Sequence, residues 1–135
     1  MRKIWTDLTI DAPAKQVWEL FTNLEHWSDW GPSIRGAQLN GGKLNVGNIK
    51  QGATGTVITA VGKDAAFEIT HYEPGTYWAW SVAGIGATHH RVKPLDTDSC
   101  RAGFGIAWIA SPYLAVCQIA LHRIKAMAEK PGVTL

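Results

Sequence analysis

The five histidines are the side chains best suited to proton transfer near neutral pH, because the pKa of a free imidazole is about 6.5. His89 and His90 are adjacent, so in a strand they point to opposite faces of a sheet and do not bind one metal ion together. If His90 faces the interior, it can orient a ligand by hydrogen bonding or act as a base. A core histidine bonded to a neighbouring residue is the alternative. His71 is a second and weaker candidate of the same kind.

No pattern predicts a metal centre, a cofactor or a covalent nucleophile. The sequence contains no H-E-x-x-H, no C-x-x-C and no clustered carboxylates, which are typical of metal sites. It also lacks the G-x-S-x-G elbow of serine hydrolases. Cys100 and Cys117 have no base at motif spacing, so we expect both to be small buried hydrophobic residues. We therefore predict no metal and no cofactor.

Seven tryptophans are the most unusual feature of the composition. The indole is large, and its N–H needs a partner when it is buried. So many indoles in a short chain predict an aromatic interior, which either forms a solid core or lines a groove. They are Trp5, Trp18, Trp27, Trp30, Trp78, Trp80 and Trp108.

Length, composition and charge limit the class of protein. The chain has 135 residues, of which 46% are hydrophobic and 18% charged, and this predicts one globular domain over residues 1–135. Thirteen basic against eleven acidic side chains give a net charge of +2, which is too balanced to indicate a nucleic-acid partner. No apolar run is long enough for a transmembrane helix or a signal peptide. We expect no stable membrane insertion and a cytoplasmic location, and nothing indicates an oligomeric state.

Hydrophobic periodicity predicts the elements that must position these side chains. Residues 3–10 alternate as a strand, Asp11-Ala12-Pro13 begins a short helix to about residue 22, and a second short helix covers 24–28. Turns rich in glycine, proline and aspartate separate six further strands, so the sheet should be antiparallel. The predicted strands cover residues 34–39, 54–61, 66–72, 76–82, 87–94 and 99–110.

The last predicted element is a long amphipathic helix over residues 112–129. Ser111-Pro112 is a typical start and Pro131-Gly132 a typical end. A helix with one broad apolar face must pack against another layer, and the concave face of the sheet is the partner we expect. That apolar face consists of Tyr113, Val116, Cys117, Ala120, Leu121, Ile124, Met127 and Ala128. The order of elements predicts an α+β domain.

The segment after the first strand carries a motif of a known family. It contains Ala12-Pro13, Val17-Trp18 and Trp27-Ser28-Asp29-Trp30, and this order resembles the polyketide cyclase/dehydrase-like branch of the START-like (SRPBCC) superfamily. Residues 67–75, which end in Pro-Gly, look like a later strand and turn of that family. The resemblance implies a helix-grip fold, in which a curved seven-stranded sheet wraps around the C-terminal helix and leaves a cavity. The superfamily includes lipid carriers, quinone-binding proteins and aromatases, so the resemblance implies little about chemistry.

Strand and helix parity predicts which side chains line such a cavity. The large apolar groups of the last strand share one face, and alternate residues of the strands before it turn inwards with them. Small residues on the buried helix face leave room opposite this aromatic surface. The predicted ligand-binding residues are Phe67, Trp78, Trp80, His90, Phe104, Trp108, Cys117, Ala120 and Ile124. We expect the loop over 40–52 and the turn over 84–86 to form the rim.

Three functions are compatible with this pattern. The first is binding or carriage of a small hydrophobic or aromatic molecule, such as a lipid, a quinone or a polyketide-like compound. The second is a cyclase, aromatase or dehydratase with His90 as general base and His71 or Tyr72 as a second proton donor. The third is a protein-interaction module without a ligand, which requires an exposed apolar patch that the outward-facing strand residues do not clearly provide. Binding is preferred, because the sequence offers one plausible titratable group rather than a tuned pair.

Overall fold

The computed structural model describes residues 2–130, and within them seven strands form one antiparallel sheet in the order β1-β7-β6-β5-β4-β3-β2. The strands after β1 follow one another as neighbours, as the short turns between them predict, while β1 pairs with the last strand. The strands are β1 (Lys3–Ile10), β2 (Ile34–Leu39), β3 (Thr54–Thr59), β4 (Asp64–Glu73), β5 (Tyr77–Val82), β6 (Ile85–Pro94) and β7 (Cys100–Ala107). The predicted α+β architecture, a seven-stranded sheet that grips a long C-terminal helix, is confirmed.

Two short helices between β1 and β2 are held together by indole hydrogen bonds. Helix α1 (Ala14–Thr22) is followed by a 3-10 turn (Leu24–His26) and helix α2 (Trp27–Trp30). Trp27 Nε1 donates to the carbonyl oxygen of Phe21 at 2.9 Å, and Trp30 Nε1 donates to that of Leu20 at 2.8 Å. Both indoles are buried, so each fills the core and satisfies its polar atom at once. The two tryptophans of the W-x-x-W motif therefore fix α2 against the C-terminal part of α1.

The C-terminal helix α3 (Leu114–Glu129) begins two residues later than predicted. The segment before it, Trp108–Tyr113, is a 3-10 helix that contains Pro112. The buried residues of α3 are Cys117, Ala120, Leu121, Ile124 and Ala128, all of which belong to the predicted apolar face. The predicted end of the helix at Pro131-Gly132 lies outside the described residues.

Trp108 corrects the prediction for the last strand. The strand ends at Ala107, and Trp108 is 55% exposed rather than turned towards the helix. Ala107, opposite Lys3, is the last residue of β7 that pairs with β1, although the amide of Trp108 still donates to the Arg2 carbonyl at 3.0 Å. The chain instead enters the 3-10 helix, and strand parity no longer determines where the indole points.

His71 corrects the prediction for β4. The register between β4 and β5 shifts between Ile69 and His71, where an extra residue forms a β-bulge. A bulge reverses the alternation of faces beyond it, so Thr70 and His71 are both exposed. Tyr72 turns inwards in place of His71 and packs on Trp18, with ring centroids 5.8 Å apart.

The convex face of the sheet carries an ion pair between β1 and β6. Arg91 donates two hydrogen bonds to Asp7, at 3.0 and 2.8 Å, and its guanidinium lies 3.8 Å from the centroid of the Trp5 ring. A Cβ on Gly105 would lie 2.8 Å from that ring. The glycine therefore leaves room for Trp5 to lie against β7 beneath the arginine.

No helix within residues 2–130 combines the length and the apolar character that a bilayer span requires.

Candidate ligand-binding cavity

A cavity of about 540 Å³ lies between the concave face of the sheet and the first half of α3. Strands β3, β5, β6 and β7 form one wall, α3 forms the opposite wall, and the loop after α2 closes one side. The helix contributes Val116, Cys117 and Ala120. The small side chains at 117 and 120 leave the space that larger residues would fill, as their position on the buried face predicted.

Five of the nine predicted ligand-binding residues line this cavity, namely Trp80, His90, Phe104, Cys117 and Ala120. Their role in binding stays a prediction, whereas their position is now known. They come from β5, β6, β7 and α3, so parity placed one wall of the cavity correctly.

Four predicted residues lie elsewhere. Phe67, Trp78 and Ile124 are 3%, 0% and 0% exposed and belong to the solid core beside the cavity. The ring of Trp78 stacks on Trp27 with centroids 5.7 Å apart and planes at 4°, so it packs within the core rather than facing the open space. Trp108 lies at the surface, as described above. The inward face of the sheet is thus divided between a filled aromatic core and a cavity.

Several lining residues were missed from the sequence. Trp30, Ser33 and Ile34 come from the end of α2 and the loop after it, where no periodicity predicts which way a side chain points. Val57 and Thr59 also line the cavity. They alternate with outward residues on β3, so the parity argument applied to β5, β6 and β7 was sufficient to find them.

The mouth of the cavity is formed by the loop after α2, the β3–β4 turn, the β5–β6 turn and the 3-10 helix before α3. Ser33 Oγ and Tyr113 Oη are 2.8 Å apart across it, and Val61 is 81% exposed. Gly86 lines the cavity, in agreement with the prediction for the 84–86 turn. The prediction for the 40–52 loop is wrong, because this loop lies along β2, where Asn45 Oδ1 accepts from the Ala37 amide at 2.9 Å.

His90 is held in an aromatic cage at the inner end of the cavity and is 1% exposed. Its ring stacks on Trp78 with centroids 3.7 Å apart and planes at 16°. The ring of Phe104 meets it edge to face at 4.9 Å. Burial away from water lowers the pKa of His90 from 6.5 to about 3, so the imidazole is neutral at pH 7.

Hydrogen bonds fix the tautomer of His90. Its Nδ1 lies 3.2 Å from the carbonyl oxygen of Trp78, and because a carbonyl only accepts, Nδ1 carries the proton. Nε2 therefore holds a lone pair, and it lies 3.0 Å from Oγ1 of Thr88, so the threonine hydroxyl donates to it. Trp80 Nε1 in turn donates to the same Thr88 oxygen at 2.9 Å. Both imidazole nitrogens are engaged within the protein.

The cavity wall carries no charged side chain within the described part of the chain. Burial raises the pKa of Cys117 to about 11, so its thiol is protonated at pH 7 and is a poor nucleophile. Among residues 2–130 no group of three or more histidine, cysteine or carboxylate side chains is arranged to hold a metal ion. The cavity is thus suited to an uncharged, mostly apolar molecule with a few hydrogen-bonding groups.

Several solved structures share this fold. An aromatase/cyclase, Zhui, from a Streptomyces species is 13% identical, with a TM-score of 0.69 over 95% of this chain and 93% of that one. A hypothetical protein from Helicobacter pylori is 13% identical, with a TM-score of 0.72 over 95% of this chain and 88% of that one. The protein XoxI from Bacillus cereus is 14% identical, with a TM-score of 0.69 over 95% and 96% of the two chains. Identities this low establish the shared fold alone.

A comparison with curated protein sequences finds no match. The family model described as polyketide cyclase/dehydrase and lipid transport matches residues 1–125, which includes the motif of the first helices and every strand. The chain therefore belongs to the polyketide cyclase/dehydrase and lipid transport family, the START-like branch that its first helices resembled.

Proposed function

We propose that this protein binds and carries a small, uncharged, mostly apolar or aromatic molecule in the cavity between the sheet and α3. The single observation that carries the proposal is a cavity of about 540 Å³ with no charged side chain on its wall. Its volume lies within the range of about 300–1,000 Å³ that is usual for ligand sites. Affinity comes from apolar contact with rings such as Trp80 and Phe104, because buried apolar area is the main favourable term in such a site.

The open mouth supports exchange of the ligand with its surroundings. Val61 lines the cavity and is 81% exposed. Ile85 and Ile109, 72% and 71% exposed, are the chain neighbours of the lining residues Gly86 and Ala110. An apolar rim of this kind lowers the cost of bringing an apolar molecule out of water and into the cavity. A location in the cytoplasm remains a prediction of the sequence.

Catalysis as a cyclase, aromatase or dehydratase is less well supported by the geometry. His71 lies on the outer face of the sheet, so His90 is the remaining candidate base from the sequence. Both of its nitrogens already have partners, and its lowered pKa of about 3 makes it a weak base at pH 7. If the protein nevertheless turns over a polyketide-like substrate, the variant His90→Gln should abolish turnover while ligand binding survives.

Binding is tested by titrating the protein with a lipid, a quinone and an uncharged bicyclic aromatic while tryptophan emission is recorded. Trp30 and Trp80 line the cavity, so occupancy should change that emission. Ala120 is 3% exposed on the cavity wall, and Ala120→Leu places added methyl and methine groups in the ligand space. Displacing two ligand carbons costs about 1.6 kcal/mol, so the dissociation constant should rise about tenfold or more.

The matched control is Ala126→Leu on the exposed side of the same helix. It adds the same groups without reaching the cavity, so its dissociation constant should equal that of the unmodified protein. The proposal fails if no molecule of the panel changes the emission, or if the two leucine variants weaken binding equally.

A further inference from the structure

The Thr88 hydroxyl, on the inner wall between Trp80 and His90, has one unused position for a hydrogen bond. A hydroxyl group offers one donor and two acceptor lone pairs. The N–H of Trp80 occupies one lone pair at 2.9 Å, and the hydroxyl proton goes to Nε2 of His90 at 3.0 Å. One lone pair remains on an oxygen whose residue lines the cavity.

The hydrogen bond between His90 and the Trp78 carbonyl determines which atom donates in each of the other bonds of this chain. The Trp78 carbonyl can only accept, so His90 Nδ1 donates to it, and the neutral ring leaves Nε2 as an acceptor. An acceptor at Nε2 requires Thr88 to be the donor. If Thr88 turned its proton towards a ligand, it would leave a buried Nε2 unsatisfied, which weakens binding by about 5- to 150-fold.

The other polar side chains of the inner wall provide no strong competing donor. The thiol of Cys117 is only a weak donor, and the N–H of Trp78, which has no partner, belongs to the core and does not line the cavity. Trp30 Nε1 is bonded to the carbonyl of Leu20 at 2.8 Å. The Thr59 hydroxyl donates to the carbonyl of Lys63 at 2.9 Å, at the β3–β4 turn. A free hydroxyl proton is left only at the mouth, where Ser33 and Tyr113 share one hydrogen bond. Among the described lining side chains, the inner end therefore offers a hydrogen-bond acceptor and, in the Cys117 thiol, only a weak donor, whereas the mouth also offers a hydroxyl donor.

We infer, building on the proposed function, that the ligand is an uncharged phenol or alcohol whose hydroxyl donates a hydrogen bond to Oγ1 of Thr88. The apolar body of the ligand then extends from Thr88 towards the mouth. A ketone, quinone or ether oxygen in the inner position meets a lone pair of Thr88 and gains no hydrogen bond. The side chain of residue 88 thus selects for a donor at the inner end of the ligand.

The test compares 2-naphthol with 2-methoxynaphthalene, two bicyclic aromatics that differ in a hydroxyl proton and a methyl group. Titration calorimetry at pH 7 should give a dissociation constant about tenfold lower for 2-naphthol than for 2-methoxynaphthalene. The naphthol hydroxyl donates a hydrogen bond to Thr88, whereas the ether cannot donate and leaves its own oxygen without a partner. Thr88→Val removes the acceptor, and the ratio of the two constants should fall to about one. Thr88→Ser keeps the hydroxyl and should keep the ratio.

Thr56→Val is the matched control, since it removes the hydroxyl of a strand threonine that does not line the cavity; its ratio should equal that of the unmodified protein. The orientation is read independently from crystals soaked with 6-bromo-2-naphthol, in which anomalous scattering locates the bromine. We expect the naphthol oxygen at Thr88 and the bromine towards Tyr113. A reversed probe, or a ratio of one in the unmodified protein, overturns the inference and leaves the proposed function standing. Failure of both naphthalenes to bind, together with every molecule of the earlier panel, overturns both.

Discussion

The buried imidazole of His90 should make the stability of this protein depend on pH. Its pKa falls from 6.5 to about 3 on folding because the ring is removed from water. Between these two values the unfolded chain binds a proton that the folded chain excludes. The free energy of unfolding is therefore highest above pH 6.5 and decreases as the pH falls towards 3, by about 1.4 kcal/mol for each pH unit.

The size of the effect at pH 4.5 follows from two pH units of this linkage. We expect His90 to account for a loss of about 2.7 kcal/mol relative to pH 7, as an upper value. His90→Gln keeps a polar side chain that does not titrate, so this part of the pH dependence should disappear. His89, whose pKa burial lowers to about 4, is half-buried and is present in both proteins, so its contribution cancels in the comparison.

Urea unfolding of the two proteins at pH 7 and pH 4.5 measures this difference, with His122→Gln as the control. His122 is exposed on α3, and its replacement should leave the pH dependence unchanged. In the unmodified protein, the ¹⁵N shifts of the His90 ring should remain those of a neutral Nδ1–H imidazole from pH 7 to pH 4.5. Equal pH dependence in the unmodified protein and in His90→Gln, or a ring that titrates near 6.5, refutes the reasoning.

Two further predictions concern packing on either side of the sheet. Gly105→Ala brings a Cβ within 2.8 Å of the Trp5 ring and should lower the free energy of unfolding, measured by urea titration, by about 1–3 kcal/mol. Gly86→Ala is the control, because the space around its Cβ is open, and it should leave the free energy of unfolding nearly unchanged. Trp78→Ala removes a side chain that is 0% exposed and should lower the free energy of unfolding by about 3–5 kcal/mol. Trp108→Ala, at a position that is 55% exposed, should change the same free energy by less than about 0.5 kcal/mol. Equal losses for the two tryptophans would place Trp108 in the core after all.

Local sequence determined most of the fold, because its signals act over a few neighbouring residues. Alternation of apolar and polar residues indicates a strand over residues 3–10, and the apolar face indicates the helix α3. The short glycine-rich connections between the other strands indicate antiparallel hairpins. The same parity placed Trp80, His90 and Phe104 on the cavity side of the sheet. These assignments needed no knowledge of contacts between distant parts of the chain.

Tertiary structure decided where that alternation stops. The bulge between Ile69 and His71 arises from pairing with β5, and it turned a predicted inner histidine outwards. The strand β7 ends at Ala107, opposite Lys3 of β1, which lies 104 residues earlier in the chain, and the 3-10 helix that begins at Trp108 leaves this indole at the surface.

The division of the inner face into solid core and cavity is also a tertiary property. It depends on which rings meet in space: Trp27, from the short helix after α1, stacks on Trp78 and closes that part of the core, while Cys117 and Ala120 face open space. The hydrogen-bonded chain from Trp80 through Thr88 to His90 lies within β5 and β6, yet its direction follows from a carbonyl across the strand pair. The sequence alone determined which residues were available for a ligand site, and packing between distant segments decided which of them meet a ligand, because side-chain contacts depend on the three-dimensional arrangement rather than on local periodicity.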